Sequence, residues 1–174
     1  MNIERYYYED HWQILWEAYN NKAYVDFFRR TPIGLNKFQV CKELETITNS
    51  KIFIVYNQNF PIGIVNISGE CLFTLSCSIG VLIFEKYQKQ KINGIGLLIH
   101  IIYSISKYIF DGTNLNKIKV RVLKDNIRLN EIISKGGLVN EGNYSKEIFG
   151  KDECEYAIFR DLYESYKLKG SLWV

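Results

Sequence analysis

The sequence predicts a single α+β domain, and three observations point to it. The chain has 174 residues, 47% of them apolar and 15% aromatic, which is enough for one filled core and too little for two. Strand-like runs joined by short turns lie between Lys51 and Phe84. A strongly apolar helical segment, Gly94 to Gly112, then separates them from a second group of strands beginning at Lys117. Residues 1–174 contain 2 prolines, no Gly/Ser-rich stretch and no internal repeat, so one domain is expected to span them.

Taken in order, Ile3 to Tyr8 alternates as a first strand, and Asp10 is a candidate N-cap for a helix with Trp12, Leu15, Trp16 and Tyr19 at helical spacing. Asn20 and Asn21 stop that helix, Thr31-Pro32-Ile33-Gly34 reads as a turn, and Leu35 to Ile47 forms a second helical segment. Lys51 to Tyr56 and Ile62 to Ile67 form a hairpin across the turn at Asn57 to Pro61. Leu72 to Phe84 is a long strand in which Gly80 invites a bulge. In the next helix Ile95, Leu98, Ile99, Ile102, Ile105 and Ile109 recur at helical spacing. Lys117 to Leu123 alternates as a strand, Asp125 to Lys135 is a helix stopped by Gly136-Gly137, and Leu138 to Phe149 and Glu153 to Leu162 are strands. The expected order is β-α-α-β-β-β-α-β-α-β-β.

Several function classes are disfavoured. A net charge of +3 is too small to predict a nucleic-acid partner unless it is gathered on one face. The segment Met1 to Asp10 carries Glu4, Arg5, Glu9 and Asp10 and lacks the apolar core of an export signal, so a cytoplasmic location is expected. The apolar run Ile95 to Phe110 is shorter than the roughly 20 residues of a bilayer span and contains His100, Ser104, Ser106 and Lys107, so no membrane partner is expected. Cys41, Cys71, Cys77 and Cys154 form no C-x-x-C pair and stand apart from His11 and His100, which indicates neither a metal site nor a disulfide framework.

The chemistry is most visible where a strand runs into a turn rich in Lys86, Gln88, Lys89, Gln90 and Lys91, and then into Gly94-Ile95-Gly96 opening an apolar helix. Unpaired N–H groups at a helix start, the positive end of its dipole and glycines that permit close approach together suit a pyrophosphate, with Lys89 and Lys91 as countercharge. A Walker loop would need Gly-Lys-Ser/Thr, and a Rossmann unit would place the glycines after its first strand; neither pattern is present.

From Ile79 to Tyr156 the chain resembles the GNAT superfamily of N-acetyltransferases. Ile79-Gly80-Val81-Leu82-Ile83 is similar to that family's fourth strand, and Tyr87 through Gly96 to its CoA-pyrophosphate loop. Asn126, Lys135, Gly137 and Glu141-Gly142 are similar to its asparagine helix and the ending of that block. Asp152 and Tyr156 resemble the last-strand Asp-x-x-x-Tyr of the branch that acetylates ribosomal-protein N-termini, amino sugars and some antibiotics. The resemblance implies a three-layer α/β/α fold with a mixed, mostly antiparallel sheet splayed between strands four and five. It also implies acetyl-CoA as co-substrate and direct attack by a small-molecule or peptide amine, with a homodimer as one assembly to consider. The cofactor residues it implies are Val81 and Ile83 along the pantetheine arm and Asn126 beside it, with Gln88, Lys89, Lys91, Asn93, Gly94, Ile95 and Gly96 around the pyrophosphate.

The loop from Tyr87 to Gly96 is longer than the usual pattern, so either Lys91-x-x-Gly94-x-Gly96 or Gln88-x-x-Lys91-x-Asn93 is the motif; glycine chemistry favours the first. An attacking amine must shed a proton, yet Ser78 stands where this branch often has a glutamate, and Ile133 stands where other branches place a general-acid tyrosine. Ser78, positioning a water, and Asp152 are the candidate catalytic groups. Trp12, Trp16 and Phe27 are candidates to line an acceptor pocket, with core packing as the alternative. Two other readings are open: a non-catalytic acyl-CoA-binding or regulatory protein on the same fold, and a lysine-rich nucleic-acid contact.

Overall fold

A computed structural model describes residues 1–21, 37–92, 95–148 and 150–169. The chain divides into two units, one formed by Met1–Ser68 with Val81–Gln90 and the other by Gly69–Gly80 with Lys91–Val174. Strands β3 (Phe60–Cys71) and β4 (Ser76–Ile83) each contribute to both.

The first unit contains β1 (Asn2–Arg5), α1 (Tyr8–Asn20), α2 (Lys37–Thr48) and β2 (Ser50–Asn57), together with most of β3 and the end of β4. β1 pairs antiparallel with β2, and β2 with β3, across a turn in which Gln58 and Asn59 have φ of 55° and 74°. Two successive left-handed residues match the twist of a tight hairpin. The register shifts at Val55/Tyr56, where the partner is Pro61, a residue with no N–H to donate. Leu15 and Ala18 of α1 and Val40, Cys41 and Leu44 of α2 pack on Ile52, Ile54, Ile64 and Leu82 of the strands. Tyr6 closes this core, its hydroxyl donating to the Cys41 carbonyl at 2.9 Å. Arg5 pairs with Glu45 at 2.8 Å, and the other Glu45 oxygen accepts the Ile52 N–H.

Gly63 is required where β3 meets β4, because a Cβ there would lie 2.4 Å from the Leu82 carbonyl oxygen. That neighbour is backbone and cannot rotate away, so the strands themselves would have to part. Gly63→Ala is expected to cost about 1–3 kcal/mol, seen as a lower midpoint in denaturant unfolding at unchanged m-value.

The second unit is built around α3 (Leu97–Gly112), whose Leu97, Ile101, Ile102, Ile105, Ile109 and Phe110 are buried. Its strands are the start of β4, β5 (Lys117–Leu123), β6 (Val139–Ile148) and β7 (Lys151–Phe159), with α4 (Ile127–Lys135) between β5 and β6 and α5 (Arg160–Lys169) after β7. β4 and β5 are parallel, while β5–β7 and β6–β7 are antiparallel, and the hydrogen-bonded strand order is β1-β2-β3-β4-β5-β7-β6. The Tyr103 hydroxyl of α3 donates to the Gly136 carbonyl at the end of α4, and a Cβ on Gly136 would lie 2.5 Å from Ile99 Cδ1. Helices α3 and α4 therefore pack closely on each other.

The mixed α+β class and the expected element order are found, with four local corrections. The first helix starts at Tyr8 after Tyr7 as N-cap, so Asp10 lies in its first turn instead of capping it. β4 begins at Ser76: Leu72 to Leu75 form a turn in which Leu75 has φ 47° and its carbonyl accepts the Asn116 and Lys117 N–H groups. The last strand ends at Phe159 and a helix follows at once. The helix expected from Asp125 begins at Ile127, with Asn126 as its cap. The turn expected at Thr31 to Gly34 lies outside the described residues. No helix among the described residues is long and apolar enough to cross a membrane.

Candidate active site

In the first unit, Val81 and Ile83 are half-buried at the end of β4, and Phe84 N–H returns to the Ile62 carbonyl at 3.0 Å. A 3-10 turn, Glu85–Tyr87, leads into Gln88 and Lys89, both exposed. Expected at the pyrophosphate, the Gln88 side chain turns back and donates from Nε2 to the Ile83 carbonyl at 3.2 Å. It thereby fixes the turn to the strand that precedes it. Trp12 stacks edge-on against Phe38 with centroids 5.9 Å apart, and Trp16 packs on the core between α1 and the strands. Neither lines the groove of about 460 Å³ in this unit that is bounded by Ile14, Glu17, Ala18, Pro61 and Phe84. Phe27 lies outside the described residues.

In the second unit, Lys91 and Ile92 pair with Ile95 and Gly96 in a two-residue ladder, and Asn93 and Gly94 lie outside the described residues. Gly96 is the N-cap of α3, in extended conformation and without any side-chain hydrogen bond to the first turn. No acidic residue stands in that turn, and a Cβ on Gly96 would meet nothing within 4 Å. Among the described residues the helix start carries no side-chain cap, and its N–H groups and the positive end of its dipole suit an anion such as a pyrophosphate.

Asn126 caps α4, its Oδ1 accepting the Leu129 N–H at 3.1 Å, so its amide NH₂ is what it can offer to a ligand. One turn on, Asn130 donates to the Leu123 and Asn126 carbonyls and accepts from the Tyr156 hydroxyl at 2.9 Å. Ile133 is 1% exposed, leaving no hydroxyl at that place in the helix.

The β4–β5 ladder ends at Ile79↔Val120, while β5 remains paired with β7 through Leu123. Side chains alternate across a sheet. Ser78, Lys119 and Ala157 are in register and share one face, on which Arg121, Glu155 and Glu153 continue, whereas Asp152 falls on the opposite face with Cys154 and Tyr156. The two candidate catalytic groups therefore do not converge.

Ser78 instead shares its face with a charged group that sequence patterning does not single out. Glu155 is 2% exposed and accepts from Arg121 Nε at 2.8 Å and from the Tyr144 hydroxyl at 3.1 Å, with Lys119 Nζ at 3.7 Å. Burial acts to raise its pKa, but the Arg121 hydrogen bond, the Lys119 and Arg121 charges and the Tyr144 hydroxyl outweigh it and hold the carboxyl below its ordinary range. The Arg121 guanidinium also lies 4.5 Å from the Tyr144 ring centroid. The signal in the sequence is the alternation of Lys117, Lys119 and Arg121 against Glu153 and Glu155, which reads as a solvated face until the register shows the glutamates are buried.

No protein-family model matches the chain, and no curated protein matches its sequence. Solved structures do. The spermidine N-acetyltransferase of Vibrio cholerae in complex with CoA and spermine superposes with a TM-score of 0.78 at 19% identity, covering 94% of this chain and 97% of that one. A chimera of the Vibrio cholerae spermidine N-acetyltransferase SpeG and hSSAT gives 0.77 at 18% identity, covering 95% and 99%. The chain has the GNAT fold. That fold accounts for the parallel β4–β5 pair joined through the helix that starts at Gly96.

Proposed function

We propose that this protein is an acetyl-CoA-dependent N-acetyltransferase that acetylates a primary amine, with residues 1–174 acting as one catalytic domain. The observation that carries the reading is the start of α3 at Gly96, without a side-chain cap and open at its Cβ among the described residues, after β4 in a GNAT fold. In this reading Lys89, Lys91 and the N–H groups around Lys91 to Gly96 hold the pyrophosphate. The backbone of Val81 and Ile83 and the amide of Asn126 hold the pantetheine arm. Acetyl-CoA supplies an activated thioester carbonyl. An amine attacks it, the N–C bond forms as the C–S bond breaks, and of the two protons leaving the ammonium one goes to the thiol and one to solvent. The acceptor is a small amine, an amino sugar or a protein N-terminus, and the spermine complex of the Vibrio cholerae enzyme puts polyamines first among small amines to try.

One observation favours a second reading, a non-catalytic acyl-CoA-binding protein: Ser78 and the buried Ile133 occupy places where a carboxylate and a hydroxyl would serve proton transfer. Release of free CoA thiol from acetyl-CoA, measured with spermidine, glucosamine and an alanine-initiated peptide, separates the two. Turnover with at least one amine is expected. Binding of acetyl-CoA without turnover of any of them would select the non-catalytic protein.

A further inference from the structure

Glu153 is the other carboxylate on the charged face of the second unit, and it differs from Glu155 in one respect. It is 3% exposed, yet its Oε2 is buried with no hydrogen-bond partner among the described residues. Arg121 Nη1 stands 3.9 Å from that oxygen, and its guanidinium is already engaged through Nε with Glu155. Lys119 likewise reaches Glu155. Lys119 and Arg121 therefore both engage Glu155, and the longer ion pair from Arg121 leaves Oε2 of Glu153 without a hydrogen bond. A buried carboxylate oxygen left in this way is costly, and a fold that keeps it needs a reason.

The register locates it. Arg121 is the first β5 residue beyond the end of the β4–β5 ladder, and Glu155 and Glu153 lie across from Arg121 and Leu123. Ser78, in the place where a strand-four carboxylate is missing, opens onto the same face. What Oε2 lacks is a positively charged N–H donor, and a primary ammonium, compact and with three N–H groups, is the chemistry that supplies one. Arg121 is 35% exposed, so the charged face that carries both glutamates reaches solvent at this side chain.

We propose that Glu153 is the acceptor-binding residue of this protein, its Oε2 receiving the ammonium of the amine substrate in place of a carboxylate on β4. The assignment rests on the acetyltransferase reading above. Glu155 plays a different part. Held by Arg121, Lys119 and Tyr144, it fixes the cations so that they do not satisfy Glu153.

The test compares wild type with Glu153→Gln and Glu153→Asp, using acetyl-CoA and whichever of spermidine, glucosamine and the alanine-initiated peptide turns over fastest. Removing a charge-assisted hydrogen bond should raise the KM for the amine roughly ten- to a hundredfold in the Gln variant, with the KM for acetyl-CoA unchanged. The Asp variant should fall between. Because the Gln variant removes a buried charge whose Oε2 has no hydrogen bond, its unfolding midpoint should not drop below that of wild type. An amine KM within about twofold of wild type, or a loss confined to folded stability, would make Glu153 a structural group and overturn the assignment. Acetyl-CoA binding with no turnover by wild type is a different outcome: it removes the transferase reading itself and the assignment with it.

Discussion

Arg160→Ala is expected to lower the stability of the second unit by about 3 kcal/mol, a fall of roughly 6–12 °C in unfolding midpoint for a chain of this size. Arg160 opens α5 and serves the far end of α3. Its Nη1 donates to the Phe110 carbonyl at 2.7 Å, Nη2 to Thr113 and Leu115 at 2.6 and 2.7 Å, and Nε to Leu115 at 3.0 Å. These carbonyls end the helix and the loop after it, where a cation also complements the dipole. The guanidinium lies 5.1 Å from the Phe110 ring, and Tyr163 and Lys167 of α5 both reach Asp111. A lysine at 160 keeps the charge but has one nitrogen where arginine has three, so it should recover less than half of the loss. Scanning calorimetry of wild type, Ala and Lys variants reads the effect, and equal midpoints for all three would show that the fork of hydrogen bonds adds nothing.

The second large effect is expected at Gly96→Trp. A Cβ at this position meets nothing within 4 Å among the described residues, so the apo protein should unfold close to the wild-type temperature. The indole would instead stand over the uncapped N–H groups of α3, where the pyrophosphate is proposed to sit. Any stabilisation by acetyl-CoA should therefore vanish with the fold intact. A variant that still responds to acetyl-CoA like wild type would move the cofactor away from this helix start.

Much of the fold is legible in the sequence because its signals are local. Lys117 to Leu123 is found to the residue, since strict alternation is bounded on both sides by turn residues. Helix α3 is legible because its apolar positions outnumber what a surface helix carries. The misreadings have physical causes. Leu72 and Phe73 look like strand residues, yet they are 84% and 100% exposed on a turn held from outside by the N–H groups of Asn116 and Lys117. Helix α5 follows β7 without glycine, proline or a gap, so nothing in the run Glu153 to Leu162 marks the change from one period to the other.

The site is legible only in part. Glycine at the start of α3 and asparagine at the start of α4 are signals carried by single residues in fixed local geometry, and both stand at helix caps. That Ser78 and Asp152 fall on opposite faces is not legible in the sequence, because strand parity cannot be set between distant strands before their register is known. For the same reason Glu153 and Glu155 do not stand out in the sequence: Arg121 and Tyr144 are brought beside them only by pairing across three strands.

Whether this chain binds acetyl-CoA at all is decided by the thermal unfolding of wild type with and without that ligand. Acetyl-CoA at about 100 times its dissociation constant should add roughly 2.7 kcal/mol, or about 5–10 °C in midpoint. An unchanged midpoint at saturating acetyl-CoA would contradict the cofactor assignment and leave a GNAT fold put to some other use.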